Sequence, residues 1–166
     1  MASTDPTASS RWRPLHRLLA AMDDDIAQIY KDLGIGDLKP TWVRELLRLE
    51  SDGPMTITEL ADSTQRTHSA MSQKVSAMQA AGFVRTRPGP DARSKQITLT
   101  AKARRITGQL AAEWRATEAA IAELETEIPY PLSRAVADIH TALEHKSFRE
   151  RILEHLDHAT TSAQTR

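Results

Sequence analysis

The chain has 166 residues, of which 40% are hydrophobic and only 4% aromatic, with no cysteine and a formal net charge of zero. This length fits one domain with a sizeable core. The absence of cysteine excludes a disulfide framework, a thiol sensor and thiolate-held zinc or iron–sulfur sites. No apolar run approaches the roughly 18 residues of a membrane helix. Residues 1–10 lack the basic and apolar regions of a signal peptide, so we expect a disordered polar tail and a cytoplasmic protein.

The zero net charge conceals three blocks of opposite sign. Residues 1–64 carry 7 Lys/Arg and 11 Asp/Glu, residues 65–105 carry 9 and 1, and residues 106–166 carry 6 and 10. The net charges are therefore −4, +8 and −4. A basic block between acidic ones indicates where a polyanion such as DNA would dock. A basic surface patch without a ligand is the plain alternative.

The first block predicts three helices. A broad apolar stripe over residues 12–33 predicts the first. Pro40 suits the first turn of the second, which is expected to stop before Gly53. Residues 55–57 can form a short strand, and Thr58 is expected to cap a short third helix.

A fourth helix follows after a brief polar turn. Thr67 is a suitable N-cap, and Met71, Val75 and Met78 recur at i, i+4 and i+7 on one face. Gly82 suits the left-handed residue that ends a helix. The third and fourth helices together predict a helix-turn-helix.

The opposite face of the fourth helix is polar and carries no carboxylate, as a surface that enters a DNA groove requires. Its residues are His68, Ser69, Ser72, Gln73 and Ser76. Residues 85–87 and 95–99 can pair as a hairpin. Its loop brings Arg93 and Lys95 to the tip, where Asp91 more plausibly orients Arg93 than cancels it.

The remainder predicts helices with more apolar surface than one small domain needs. Thr100 is expected to cap a long helix whose apolar stripe continues to residue 128. After the break at residues 129–131 comes a helical region with a register slip near Ser147, so it forms one or two helices. Residues 159–166 look frayed. A second copy of the chain is the expected partner for these stripes, in a two-fold dimer that reads two DNA half-sites.

Residues 55–103, MTITELADSTQRTHSAMSQKVSAMQAAGFVRTRPGPDARSKQITLTAKA, resemble the winged-helix core of the MarR (multiple antibiotic resistance regulator) family. The specific points are ITELAD before the turn, QAAGFVRTR at the helix end and DARSKQITLT in the wing. Ala92 departs from the pattern, because relatives often have a second basic residue there. The missing cysteine argues against the peroxide-sensing branch.

The resemblance implies a mainly α fold with a small β-hairpin wing, a winged helix-turn-helix with N- and C-terminal dimerisation helices. One MarR-like domain would span residues 11–158. Within it, residues 40–100 or so would form the DNA-binding lobe, and residues 11–36 and 101–158 the dimerisation helices.

The resemblance also implies a homodimeric repressor of a palindromic double-stranded DNA operator, released by a small aromatic or phenolic ligand. The recognition-helix residues would be Thr67, His68, Ser69, Ala70, Gln73 and Lys74. Ser69, Ala70, Gln73 and Lys74 would sit in the major groove, while Thr67, His68 and Arg66 hold phosphates. The wing residues would be Arg85, Arg87, Asp91, Arg93 and Lys95, with Arg93 in the minor groove. The alternative is a winged-helix DNA-binding protein without an effector, architectural or regulated by a partner.

Three other kinds of site have only weak signals in the sequence, or none. His155 and His158 have a spacing that a metal site can use, but an exposed polar helix surface is the preferred interpretation and no metal or cofactor is predicted. A ligand pocket could lie between helices, but a packed core gives the same pattern and is the preferred interpretation. Its candidate residues are Arg13, His16, Trp42 and Arg44. No nucleophile–base pair, phosphate-binding glycine loop or metalloprotease motif is present, so no enzymatic activity is expected.

Overall fold

The computed structural model describes residue 5, residues 10–89 and residues 94–164, with side chains up to residue 157. The helices are α1 (Arg13–Asp32), α2 (Val43–Asp52), α3 (Ile57–Ser63), α4 (His68–Ala80), α5 (Ala101–Arg104), α6 (Thr107–Thr126), α7 (Leu132–His145) and α8 (Phe148–Gln164). A 3-10 turn, Pro40–Trp42, precedes α2. The strands β1 (Val84–Pro88) and β2 (Lys95–Leu99) form an antiparallel hairpin, called the wing below. The predicted mainly α fold with a hairpin wing is confirmed.

The chain divides into two compact units, Met1–Trp114 and Arg115–Arg166. In the first unit, α2, α3, α4 and the wing enclose one apolar core. Its most deeply buried side chains include Leu46, Leu60, Met71, Met78 and Phe83. Each such side chain contributes about 1.5–3 kcal/mol when fully buried. The inner face of α4 is therefore held by packing, which leaves its opposite face to solvent.

The N-cap of α3 differs from the prediction. Thr56 caps the helix and Thr58 lies inside it, so the expectation for Thr58 was wrong. The Thr56 hydroxyl accepts from the Glu59 N–H at 3.2 Å, and the Glu59 carboxylate accepts from the Thr56 N–H at 2.7 Å. These two bonds satisfy two otherwise orphan donors as a capping box. The hydrogen bonds from Thr56 lower the pKa of Glu59.

The strand expected at residues 55–57 is reduced to one residue, because α3 already begins at Ile57. Met55 makes an isolated antiparallel bridge with Ile97 of β2. The Met55 N–H donates to the Ile97 carbonyl at 3.1 Å, and the Ile97 N–H donates to the Met55 carbonyl at 2.7 Å. This bridge ties the start of the helix-turn-helix to the wing.

Three predicted helix ends are confirmed. The Thr67 hydroxyl accepts from the Ala70 N–H at 3.3 Å at the start of α4. Gly82, just after α4, has φ 77°. The Thr100 hydroxyl accepts from the Ala103 N–H at 3.2 Å and donates to the Gly82 carbonyl at 2.7 Å. Thr100 therefore connects the end of α4 to the start of α5.

The helix capped by Thr100 is not continuous, contrary to the prediction. It stops at Arg104, and α6 begins at Thr107. The Ile106 N–H bonds to the Ala103 carbonyl at 3.0 Å, a tighter closure than the α-helical pattern, and the Thr107 hydroxyl donates to the Arg104 carbonyl at 3.1 Å. Two β-branched residues followed by a glycine have low helix propensity, which accounts for the interruption.

The second unit contains the end of α6 together with α7 and α8. The break expected near Ser147 is present and separates two helices. The Ser147 hydroxyl accepts from the Glu150 N–H at 3.2 Å, and Glu150 accepts from the Ser147 N–H at 2.8 Å. Both helices expose large apolar side chains, among them Val136 at 57% and Phe148 at 63%. Among the described residues, no helix combines the length and apolar character needed to cross a membrane.

Candidate nucleic-acid interface

The outer face of α4 is polar and uncharged. An α-helix has about 3.6 residues per turn, so Ser69, Gln73 and Ser76 lie opposite the buried residues Met71 and Val75; these three define the outer face. All three are exposed, and so are Thr67, His68 and Ala70 at the start of the helix. The sequence of α4 contains no Asp or Glu. Such a surface offers hydrogen-bonding groups to base edges without repelling phosphates.

The wing presents basic side chains beside α4. Arg85 and Arg87 alternate with Thr86 along β1, so both lie on the same face of the strand, and both are exposed. The Thr86 hydroxyl accepts from Nε2 of Gln79 in α4 at 2.6 Å. This bond braces the wing against the recognition helix.

The tip of the wing is described only in part. Lys95 pairs with Pro88 in the strand register and is exposed. The Gly89 N–H donates to the Ser94 carbonyl at 2.9 Å on the loop side of that pair. Asp91 and Arg93, both predicted wing contacts, lie outside the described residues.

Arg66 lies in the turn before α4, and its side chain is 48% exposed. Its Nε atom is 3.9 Å from Oε1 of Glu45 in α2. The guanidinium is therefore near a carboxylate but still open to solvent, which fits the phosphate contact expected for it.

Lys74 differs from the sequence prediction. Its ammonium group donates to Oε1 of Glu45 at 2.8 Å and to the Thr41 carbonyl at 2.6 Å, and its side chain is only 13% exposed. The reason is the position of Lys74 around the axis of α4. It lies on the flank of the helix that faces α2, next to the buried residue Val75. In this conformation the Lys74 ammonium group is directed to Thr41 and Glu45 and not to the outer face of α4.

Sequence reasoning missed Glu45, the partner of Lys74. Glu45 is fully buried, and its Oε2 atom has no hydrogen-bond partner among the described residues. A signal was present, because Glu45 falls between Trp42 and Leu49 at the three- and four-residue spacing of the buried face of α2. An acid at such a position predicts a buried ion pair.

A cleft in the first unit contains one of the four candidate residues for a ligand pocket. A cleft of about 490 Å³ in the first unit is lined by Arg44, Leu47, Arg48, Ser51, Asp62, Ser63, Thr64, Gln65 and Trp114. Of the four predicted pocket residues, only Arg44 lines this cleft, with its guanidinium carbon 5.7 Å from the centre of the Trp114 ring. Trp42 is a core residue, edge-on to Phe83 with ring centres 6.0 Å apart. Arg13 and His16 are exposed on α1 and do not line the cleft.

One lining residue of the cleft has an unusual backbone. Gln65 has φ 54°, in the left-handed region, which costs a non-glycine residue about 1–2 kcal/mol. It lies in the turn between α3 and α4, directly before Arg66. The cleft therefore reaches the turn of the helix-turn-helix.

Among the described residues, no group of three or more His, Asp or Glu side chains is arranged to hold a metal ion. His155 is exposed on α8. The side chain of His158 lies outside the described residues.

Comparison with known proteins places the fold. The model of the MarR family matches residues 36–94. The chain resembles the structure of the Mycobacterium tuberculosis transcriptional regulator MOSR in complex with DNA, at 24% identity and TM-score 0.57, covering 82% of this chain and 98% of that one. It also resembles a Staphylococcus aureus MepR–DNA complex, at 15% identity and TM-score 0.60, with the same coverage.

A third similar structure is a MarR protein from Peptoclostridium difficile, at 18% identity and TM-score 0.58, covering 90% of this chain and 97% of that one. A search of curated protein sequences finds no significant match. At these identities the neighbours establish the fold, while the family model covers only residues 36–94. The chain therefore has the winged helix-turn-helix fold of these structures, and its residues 36–94 match the model of the MarR family.

Proposed function

We propose that the chain is a sequence-specific regulator of transcription that binds double-stranded DNA through α4 and the wing. The observation that carries this proposal is the acid-free outer face of α4 beside the exposed arginines of β1. Residues 65–105, which include both, carry a net charge of +8. A polyanion would be drawn to this surface and away from the two acidic blocks.

The side chains divide into two roles. Ser69, Ala70 and Gln73 would meet base edges in the major groove, where Gln73 can bond adenine through two atoms and Ala70 can pack on a thymine methyl group. Thr67 and His68, at the N-terminus of α4, and Arg66, just before it, would hold phosphates and set the register.

The wing would contact the DNA beside the groove that α4 enters. Arg87 and Lys95 are nearest the closed end of the hairpin, and Arg85 is nearer its base. On the family resemblance, Arg93 would enter the minor groove and Asp91 would fix its pose. Two structural neighbours, MOSR and MepR, were determined as DNA complexes, which supports this use of the fold.

The working unit is proposed to be a homodimer. In the first unit, α1 exposes Leu18 and Leu19; in the second, α8 exposes Phe148, Ile152 and Leu156. Exposed apolar stripes of this kind indicate protein–protein contact. A two-fold dimer would present two copies of α4 to two half-sites about one helical turn of DNA apart, or a multiple of it. Repression, by occupying a palindromic operator, is the expected outcome.

We further propose that a small aromatic or phenolic acid binds in this cleft and causes the protein to release DNA. The cleft offers the aromatic ring of Trp114 with the guanidinium group of Arg44 beside it, a combination suited to an aromatic carboxylate. Because Gln65 lines the cleft, a ligand bound there would lie one residue from Arg66. The competing proposal, a DNA-binding protein without an effector, requires that no ligand of this class change DNA affinity or melting temperature.

The test begins with selection of operators from a random duplex pool, followed by footprinting and sedimentation. We expect an inverted repeat protected by a dimer. Loss of selection, with equal affinity for every duplex, would contradict sequence-specific binding. A panel of hydroxybenzoates then tests the effector, with Arg44→Ala as the cleft variant and Arg13→Ala, away from the cleft, as its matched control.

A further inference from the structure

We propose that Glu45 is a specificity-determining residue, which withdraws Lys74 from the DNA-facing surface and restrains Arg66. The outer face of α4 then reads bases with neutral side chains. The inference rests on the proposed function, because it concerns how that DNA-binding surface is charged.

The geometry around Lys74 carries the proposal. Two acceptors hold its ammonium group: Oε1 of Glu45 at 2.8 Å and the carbonyl of Thr41 at 2.6 Å. Both lie on the α2 side of α4, and the Lys74 side chain is 13% exposed. The neighbouring residues Ala70 and Gln73 are exposed. A lysine with a long flexible stem would reach phosphates from this position if nothing held it back.

The same carboxylate oxygen acts on Arg66, whose Nε lies 3.9 Å away. One buried acid thus faces two cations, one just before α4 and one in the middle of that helix. Its second oxygen, Oε2, has no hydrogen-bond partner among the described residues. Burying a carboxylate with an unsatisfied oxygen is costly, and a buried ion pair is poor grounds for assuming a gain in stability. Control of the two cations gives the arrangement a function.

The consequence is electrostatic. Each cation that neutralises a phosphate steepens the fall of log K with log salt by about 0.9, and it strengthens binding to every sequence alike. Holding Lys74 on Glu45 therefore lowers non-specific affinity without removing the base contacts of Gln73. The ratio of operator to random-DNA affinity rises as a result.

The experiment compares the salt dependence of binding to a random-sequence duplex for the full chain and its variants. In Glu45→Gln the charge that holds Lys74 is lost, so the slope should steepen by about 0.9 per protomer, and the operator-to-random ratio should fall. Glu50→Gln is the matched control, because it removes the same charge from an exposed position on the same helix. The double variant Glu45→Gln/Lys74→Met should return to the wild-type slope.

An unchanged slope in folded Glu45→Gln, or an equal steepening in Glu50→Gln, would overturn the proposal. Wild-type protein that binds no duplex would refute the proposed function itself, and the two failures are therefore distinct. A merely structural role for Glu45 would lower the melting temperature without steepening the slope.

Amine labelling of the wild-type protein covers the case in which Glu45→Gln does not fold. Lys74 should react more slowly than the exposed Lys95 in the free protein, and DNA should then protect Lys95. Equal reactivity of the two lysines in the free protein would overturn the withdrawal of Lys74. A labelling rate of Lys95 that DNA does not lower would contradict the wing contact in the proposed function. It would not change the conclusion on Lys74, which comes from the free protein.

Discussion

Two arginines of the wing provide an internally controlled test of the proposed DNA contact. Arg85 and Arg87 are the same residue type, on the same strand and the same face, and both are exposed. Residues i and i+2 of a strand are about 6.7 Å apart, so Arg87 lies one such step nearer the tip. We predict that Arg87→Ala weakens DNA binding and flattens its salt dependence, while Arg85→Ala does much less.

The magnitude follows from counting phosphates. Loss of one contact per protomer reduces the salt slope by about 0.9, or about 1.8 for a dimer. Over a fourfold change in salt, from 50 to 200 mM, the affinity deficit of Arg87→Ala relative to wild type should shrink about twelvefold. Arg85→Ala should keep the wild-type slope, because Arg85 lies nearer the base of the wing, opposite the buried residue Thr98.

Fluorescence anisotropy with one labelled duplex, over a range of salt concentrations, measures these slopes. Circular dichroism should show equal folding of both variants, since neither arginine is part of the core. Parallel salt dependence for wild type and Arg87→Ala would refute the contact. An equal change in both variants would contradict a DNA contact through the tip of the wing. It would indicate instead that both arginines act only through the overall positive charge of the surface.

Four further variants test the outer face of α4 and the contacts and backbone that stabilise the fold. Gln73→Ala should flatten base preference at one position of each half-site, normally worth about 1–3 kcal/mol per mismatch; an unchanged profile on an operator panel would remove Gln73 from the reading set. Tyr30→Phe deletes the buried hydroxyl that donates to Glu113 at 2.7 Å and should cost about 1–3 kcal/mol in urea unfolding; equal stability would show that this bond contributes nothing. No atom lies within 4 Å of a Cβ added at Gly82 or Gly108. Gly82→Ala should therefore lower the free energy of unfolding by about 1–2 kcal/mol through its positive φ alone, whereas Gly108→Ala should raise it by up to about 1 kcal/mol. Equal melting temperatures for the two variants would contradict both predictions.

Features governed by nearby sequence were predictable. Thr67 and Thr100 cap helices through bonds to N–H groups three residues on, so their neighbours were enough to identify them. The misplaced cap at Thr58 was avoidable, because Thr56 and Glu59 have the spacing of a capping box. The gap between α5 and α6 was harder to predict, because the apolar stripe continues across it. The low helix propensity of Ile106, Thr107 and Gly108 was therefore overlooked.

Features governed by distant sequence were not predictable from the pattern. From the sequence, Lys74 is expected to be an exposed lysine on a polar helix face. Only the fold brings it into contact with Glu45, which lies 29 residues earlier. The cleft likewise depends on Arg44 meeting Trp114 across the first unit. Trp42 lies in the core, which was the preferred interpretation, although apolar spacing alone does not distinguish a core residue from a pocket residue.

The helix α2 connects the cleft and the proposed DNA surface. Arg44 faces the cleft, and the adjacent Glu45 holds Lys74 and lies near Arg66. The strained Gln65 lines the same cleft and directly precedes Arg66. An effector that moved Gln65 would therefore act on Arg66 through one peptide unit and on the Glu45 pair through one helix. Coupling of this kind requires that the ligand favour one of two arrangements of the turn.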